Sequence, residues 1–107
     1  MGERTESSTD IAAMNIIVNA GEARSYAFAA LEEAKKRNFE EAEALLKQSE
    51  AAASLAHQAQ TELLTQEANG EEHKVNVLLV HSQDHLMTSM LASELIREII
   101  ELYKTKD

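Results

Sequence analysis

The 107-residue sequence has no cysteine, no proline and no tryptophan, and only three glycines. Without cysteine there is no disulfide and no thiolate chemistry on the chain, which suits a reducing compartment. Without proline, and with so few glycines, there is little turn chemistry for β-hairpins. Basic residues are also scarce: 10 lysines and arginines face 19 acidic residues, a formal charge of −9. Such a surface offers nothing to nucleic acid or to an anionic membrane. No apolar run approaches the ~20 residues needed to span a bilayer. The N-terminus lacks the basic start and apolar centre of a signal peptide. The expectation is a cytoplasmic protein that neither binds nucleic acid nor inserts in a membrane.

What is present favours helix. Hydrophobic residues at 44% and charged residues at 27% describe a soluble globular chain. Alanine, glutamate, leucine, lysine and glutamine dominate, and all are strong helix formers. The length suits one domain with a modest core and no deep substrate cavity. Residues 1–8 are polar and read as a disordered tail, leaving a single domain over 9–107. The fold class expected is all-α, an antiparallel three-helix bundle running up, down and up.

Ser8-Thr9-Asp10 supplies capping side chains ahead of Ile11. From there Ile11, Met14, Ile17, Val18, Ala20, Ala23, Ala27, Leu31 and Ala34 recur at helical spacing. Gly21 interrupts this helix, either as a tolerated residue or where another backbone comes close. Lys35-Lys36-Arg37-Asn38 suits the negative C-terminal end. A second helix starts at Phe39 or Glu40, carries Leu45, Leu46, Ala52, Leu55, Ala56, Ala59 and Leu63, and stops at Asn69-Gly70. Residues 71–76 form the connection, and a third helix runs from Val75 or Val77 to Tyr103. Its later half is amphipathic, with Leu91, Leu95, Ile96, Ile99 and Leu102 on the apolar side. Projected backwards, that side continues through His81, His85 and Thr88. The opposite side of the earlier half carries Leu79, Leu86, Met87 and Met90. A helix apolar all round must be covered all round, and one chain cannot do so, which implies oligomerisation.

The stretch from Val77 to Thr88 organises the rest. At about 100° per residue, His81, Asp84, His85 and Thr88 form a polar stripe set among apolar side chains. Three chemistries fit it. His81 and His85 have the i, i+4 spacing of metal-binding helices, but Ser82 follows His81 where the zinc signature needs glutamate. They are otherwise ordinary buried histidines bonded to neighbours such as Asp84, Gln60 or Thr88. Thirdly, a neutral imidazole is a competent nucleophile near pH 7 and carries a phosphoryl group through a labile P–N bond. No glycine-rich phosphate loop is present, so the chain binds no nucleotide itself and phosphate must arrive from a donor protein.

Three segments carry a resemblance: Ala20-Gly21-Glu22-Ala23-Arg24-Ser25, Ala56-His57-Gln58-Ala59-Gln60-Thr61, and His81-Ser82-Gln83-Asp84-His85-Leu86-Met87-Thr88. The chain resembles, over about residues 11–104, the enzyme IIA component of the lactose/cellobiose (including diacetylchitobiose) branch of the bacterial phosphoenolpyruvate-dependent sugar phosphotransferase system. The resemblance implies a three-helix bundle that trimerises into a nine-helix assembly. It implies that His81 is phosphorylated by the phosphocarrier HPr and passes the group to a cysteine of the matching enzyme IIB. The membrane-bound enzyme IIC then moves a β-linked disaccharide such as cellobiose or lactose. It also implies that Asp84 lies at the trimer axis and in some members shares a metal among three subunits. Three carboxylates meeting there need protons or a bridging cation, and magnesium, a hard cation taking oxygen ligands, is the expected bridge. Gln83, His85 and Gln60 are then candidates to hydrogen-bond the phosphoryl oxygens, over which charge spreads in a loose transition state. The competing class is a helical interaction or metal-binding module without phosphotransfer. The polar stripe at His81 breaks the continuous apolar seam that a coiled-coil adaptor would need.

Overall fold

The structure is a computed structural model and describes residues 8–106. Three helices account for nearly all of them: α1 (Ser8–Lys35), α2 (Phe39–Ala68) and α3 (Val77–Thr105). The tail expected over 1–8 falls outside the described residues except for Ser8, which opens α1. The molecule is a rod of 65 × 27 × 19 Å.

Both connections are built by the same device. At the end of α1, Asn38 N–H donates to the Glu33 carbonyl and Arg37 N–H to that of Ala34, each at 2.9 Å. At the end of α2, Glu71 N–H donates to Gln66 and Gly70 N–H to Glu67, at 3.0 and 3.1 Å. These paired bonds satisfy the carbonyls left open by a finishing helix and require one left-handed residue. Gly70 fills that position at φ 94° and Arg37 at φ 66°. Arg37 is anchored there by donating to the Tyr103 carbonyl at 3.1 Å and lying over the Phe39 ring. The α3 start is capped by Asn76, whose side-chain oxygen accepts from Leu79 N–H at 2.9 Å. His73, in the connection, meets Thr9 Oγ1 through Nδ1 at 2.5 Å, so the loop is tied to the first turn of α1.

The chain packs around α1. Its fully buried ridge is Ala13, Ile16, Ala20, Ala23, Ala27, Ala30 and Ala34, and small side chains let both other helices come close. One core cluster joins Ala27, Ala30 and Ala34 to Ala42, Leu46, Ile96 and Ile100, and the other joins Ile16 and Ala20 to Ala56, Leu63 and Leu86. Between them the buried Ser49 donates to the Ala23 carbonyl at 2.7 Å. α2 and α3 touch each other little. Polar ties cross between them at three heights: Lys104–Glu43, Arg97–Glu50 and Gln60–Gln83.

The outward apolar faces differ from expectation. Met14 and Val18, expected in the core, are exposed, and so are Leu91, Leu95 and Leu102. The face that α3 gives to its own chain is Ser82, Leu86, Ser89, Ile96 and Ile100. On that face the two serines alternate with Leu86, Ile96 and Ile100 against the alanine ridge of α1. Leu86, expected on the outer side, is therefore buried, and His81, His85 and Thr88 do not continue the core face.

Candidate functional site

Three sides of α3 now divide the sequence-predicted residues. The side opposite the core is a stripe of exposed side chains: Val80, Asp84, Met87, Leu91, Leu95 and Leu102. Steps of three, four and seven place them along one line of a helix. Met87 and Leu102 are 67% and 68% exposed, an unusual state for large apolar residues in a row. The exposed Glu98 interrupts the stripe between Leu95 and Leu102, and its other acid is Asp84. Its backbone carbonyl accepts from Thr88 Oγ1 at 2.8 Å.

The second side carries the histidines. His81 is exposed and His85, one turn on, is half-buried. Their ring centroids are 4.5 Å apart with planes at 87°, so the edge of one ring meets the face of the other. The His81 ring is thus held on one side and open on the rest. A nucleophile that must meet a large partner needs that openness.

The third side faces α2. Gln60 Nε2 donates to Gln83 Oε1 at 2.7 Å, and Gln83 Nε2 donates back to Gln60 Oε1 at 2.8 Å. Gln83 Nε2 also lies 3.3 Å from Ser82 Oγ, which donates to the Leu79 carbonyl at 2.6 Å. Gln83 is two residues from His81, about 200° round the helix. The structure therefore brings together His81 with His85, and Gln60 with Gln83, and does not bring the two pairs together within one chain. His57, exposed on α2, joins neither pair.

Glu33 is held below the ordinary carboxylate value, chiefly by the hydrogen bond from Asn38 and further by Lys36. Lys104 is raised above the ordinary amine value by its hydrogen bond to Glu43, with Glu101 adding to it. Both groups are at the surface.

The family model for the lactose/cellobiose-specific IIA subunit of the sugar phosphotransferase system matches residues 11–104. The chain belongs to this family. It is 52% identical over 91 residues to the N,N'-diacetylchitobiose-specific EIIA component of Escherichia coli K12, covering 85% of this chain and 78% of that one. The cellobiose-specific enzyme IIA of Bacillus anthracis superposes with a TM-score of 0.90 at 40% identity, covering 94% and 92% of the two chains. The IIA(chitobiose)–HPr complex of the E. coli phosphotransferase system gives 0.76 at 45% identity, covering 94% and 96%. This IIA subunit is accordingly a phosphotransferase component and a phosphoryl carrier. None of its helices is long and apolar enough to cross a membrane, among the described residues.

As to metals, no group of three or more His, Cys, Asp or Glu side chains in this IIA chain could hold an ion, among the described residues. Within one chain, His81 and His85 meet no third ligand among the described residues, and a zinc site needs more than two. Asp84 gives one carboxylate per chain, so an ion there requires Asp84 from other copies. Sequence reasoning missed the face that α3 buries and the His73–Thr9 tie. Ser82, Ser89 and Ser93 repeat at helical spacing beside Leu86 and Ile96, and that was the signal for the buried face.

Proposed function

We propose that His81 is the residue on which this IIA subunit carries phosphate. A neutral ring nitrogen of His81 attacks the phosphorus of phospho-HPr; a P–N bond forms on His81 as the bond to the donor breaks. A cysteine thiolate of enzyme IIB then attacks the same phosphorus, forming P–S and releasing the imidazole. The disaccharide, of the cellobiose, lactose or diacetylchitobiose kind, meets phosphate only downstream of IIB, at the membrane-bound enzyme IIC. The subunit works on the cytoplasmic side. The observation that carries this reading is the exposed His81 ring standing against His85 within a family-like motif.

The exposed stripe of α3 is the surface on which three copies meet, since a seam of this spacing buries itself by helix association. Asp84 then comes to the axis, where three carboxylates would hold a divalent cation such as magnesium and the ion would cancel their repulsion. In that assembly the His81 side of one α3 faces the Gln83 side of the next. His85 is thus the phosphoryl neighbour within the chain, and Gln83 with Gln60 are contributed by an adjacent copy. The test is reconstituted transfer from phosphoenolpyruvate through enzyme I and HPr to IIB. Transfer should depend on this subunit and fail with His81→Ala; transfer by that variant would refute the assignment.

A further inference from the structure

The Arg97–Glu50 and Gln60–Gln83 ties hold α2 to α3 at two heights. Between them the helices part, and a groove of about 170 Å³ opens to the surface. Ala20, Ala23, Ala53 and Ala56 form its floor and one wall, and Ser89, Ser93 and Glu94 stand on the other. Ser89 is only 3% exposed, and among the described residues its Oγ has no hydrogen-bond partner; nor has the buried Ser93 Oγ. Buried hydroxyls are ordinarily paired. Glu94 is exposed at the rim and makes no ion pair among the described residues.

A complementary feature lies on the far side of the chain. Arg24 lies over the Phe28 ring, 5.8 Å from its centroid, and both side chains are exposed. Arg24 has no carboxylate partner among the described residues. On α1, Asn19, Glu22 and Tyr26 line the α2 side. Arg24 and Phe28 are two residues further on, about 200° round, on the flank remote from α2. They share that flank with His81 and His85, whereas the groove is on the α2 flank.

Height matches as well. α1 and α3 run parallel, with Ile16 and Ala20 in the cluster of Leu86, and Ala30 and Ala34 in that of Ile96 and Ile100. Arg24 and Phe28 therefore stand level with residues 90–94 of α3. In an assembly three-fold about the α3 stripe, the remote flank of one copy faces the α2 flank of the next at equal height.

We propose that the Arg24–Phe28 pair of one copy docks in the α2–α3 groove of its neighbour, with the guanidinium on the Glu94 carboxylate. This rests on the trimer formed through α3. The guanidinium fork carries several donors, enough for the carboxylate and for the two unpaired serine oxygens. The Phe28 ring covers the alanine wall.

Sedimentation over a dilution series, with circular dichroism to confirm equal helix content, tests the docking on wild type, Arg24→Glu, Glu94→Arg and the double exchange. Each single reversal should raise the trimer dissociation constant roughly tenfold or more, and the double exchange should return it towards wild type. Glu94→Gln should weaken the trimer less, in the same direction. Singles that dissociate like wild type, or a double exchange as weak as both singles together, would overturn the docking while leaving the trimer standing. A wild type that is monomeric at every concentration would overturn both.

Discussion

The His81 ring meets His85 edge to face, with 4.5 Å between centroids. This contact limits how the His81 imidazole turns while leaving it open to a docking protein. His85→Ala should slow phosphotransfer by about a hundredfold, the lower end of what losing one positioned donor costs. Single-turnover transfer from phospho-HPr measures it, and a parental rate would remove His85 from the site.

Asp84 places a carboxylate in the stretch of the seam made by Val80, Met87 and Leu91. If three of them meet, Asp84→Leu should leave the trimer intact or firmer, because the repulsion goes and apolar contact replaces it. Chelation of divalent cations should weaken the wild-type trimer and leave the Asp84→Leu trimer unchanged. Sedimentation in both conditions checks the pair of outcomes; a monomeric Asp84→Leu at neutral pH would contradict the axial placement.

The reciprocal amides of Gln60 and Gln83 join two helices that otherwise touch little. Replacing either by alanine strands the other, at a cost of about 1 kcal/mol, and the double variant should cost clearly less than the two added. Urea unfolding of the three variants measures the coupling. Additive losses would show that the pair contributes nothing as a unit.

The two helix ends use one backbone motif with different residues in its left-handed position. Gly70→Ala should lower stability by about 1–2 kcal/mol, the backbone cost for an L side chain there. No atom lies within 4 Å of the added Cβ, so the cost is conformational alone. Arg37→Gly should stay within about 1 kcal/mol of wild type, because relief of the same strain offsets loss of the bond to Tyr103. Midpoints of urea unfolding compare them.

Glu33 is depressed by Asn38, so its contribution is present above the ordinary carboxylate value and is lost as pH falls through the lowered folded value. Asn38→Ala should lower stability at neutral pH, flatten the acid limb of the stability curve in that window, and leave stability unchanged below it. Thermal melts across the acid range check the sign.

Much of this was legible in the sequence. The stop at Asn69-Gly70 was readable from glycine and the second helix's start, at Phe39 or Glu40, from its acidic first turn, whereas the third helix's start was readable only as Val75 or Val77. The resemblance of the His81–Thr88 segment identified the family. The direction of each helix face was harder to read. α3 has two apolar sides, one for its own chain and one left open, and a helical wheel does not say which is which. Leucines at 91, 95 and 102 looked like core. The face that packs on the alanine ridge is instead Ser82, Leu86, Ser89, Ile96 and Ile100. For the same reason Gln83 appeared to belong with His81, although its amide is taken up by Gln60. Gly21 offers two readings; among the described residues no atom beyond its own helical turn lies within 4 Å of where a Cβ would stand, so no packing contact within one copy demands glycine.

The most direct test is intact mass and peptide mapping, kept near neutral pH, after incubation with phosphoenolpyruvate, enzyme I and HPr. The account requires a gain of one acid-labile phosphoryl group, located at His81 and discharged when enzyme IIB is added. A phosphoryl group found on another residue, or gained equally by His81→Ala, would contradict it.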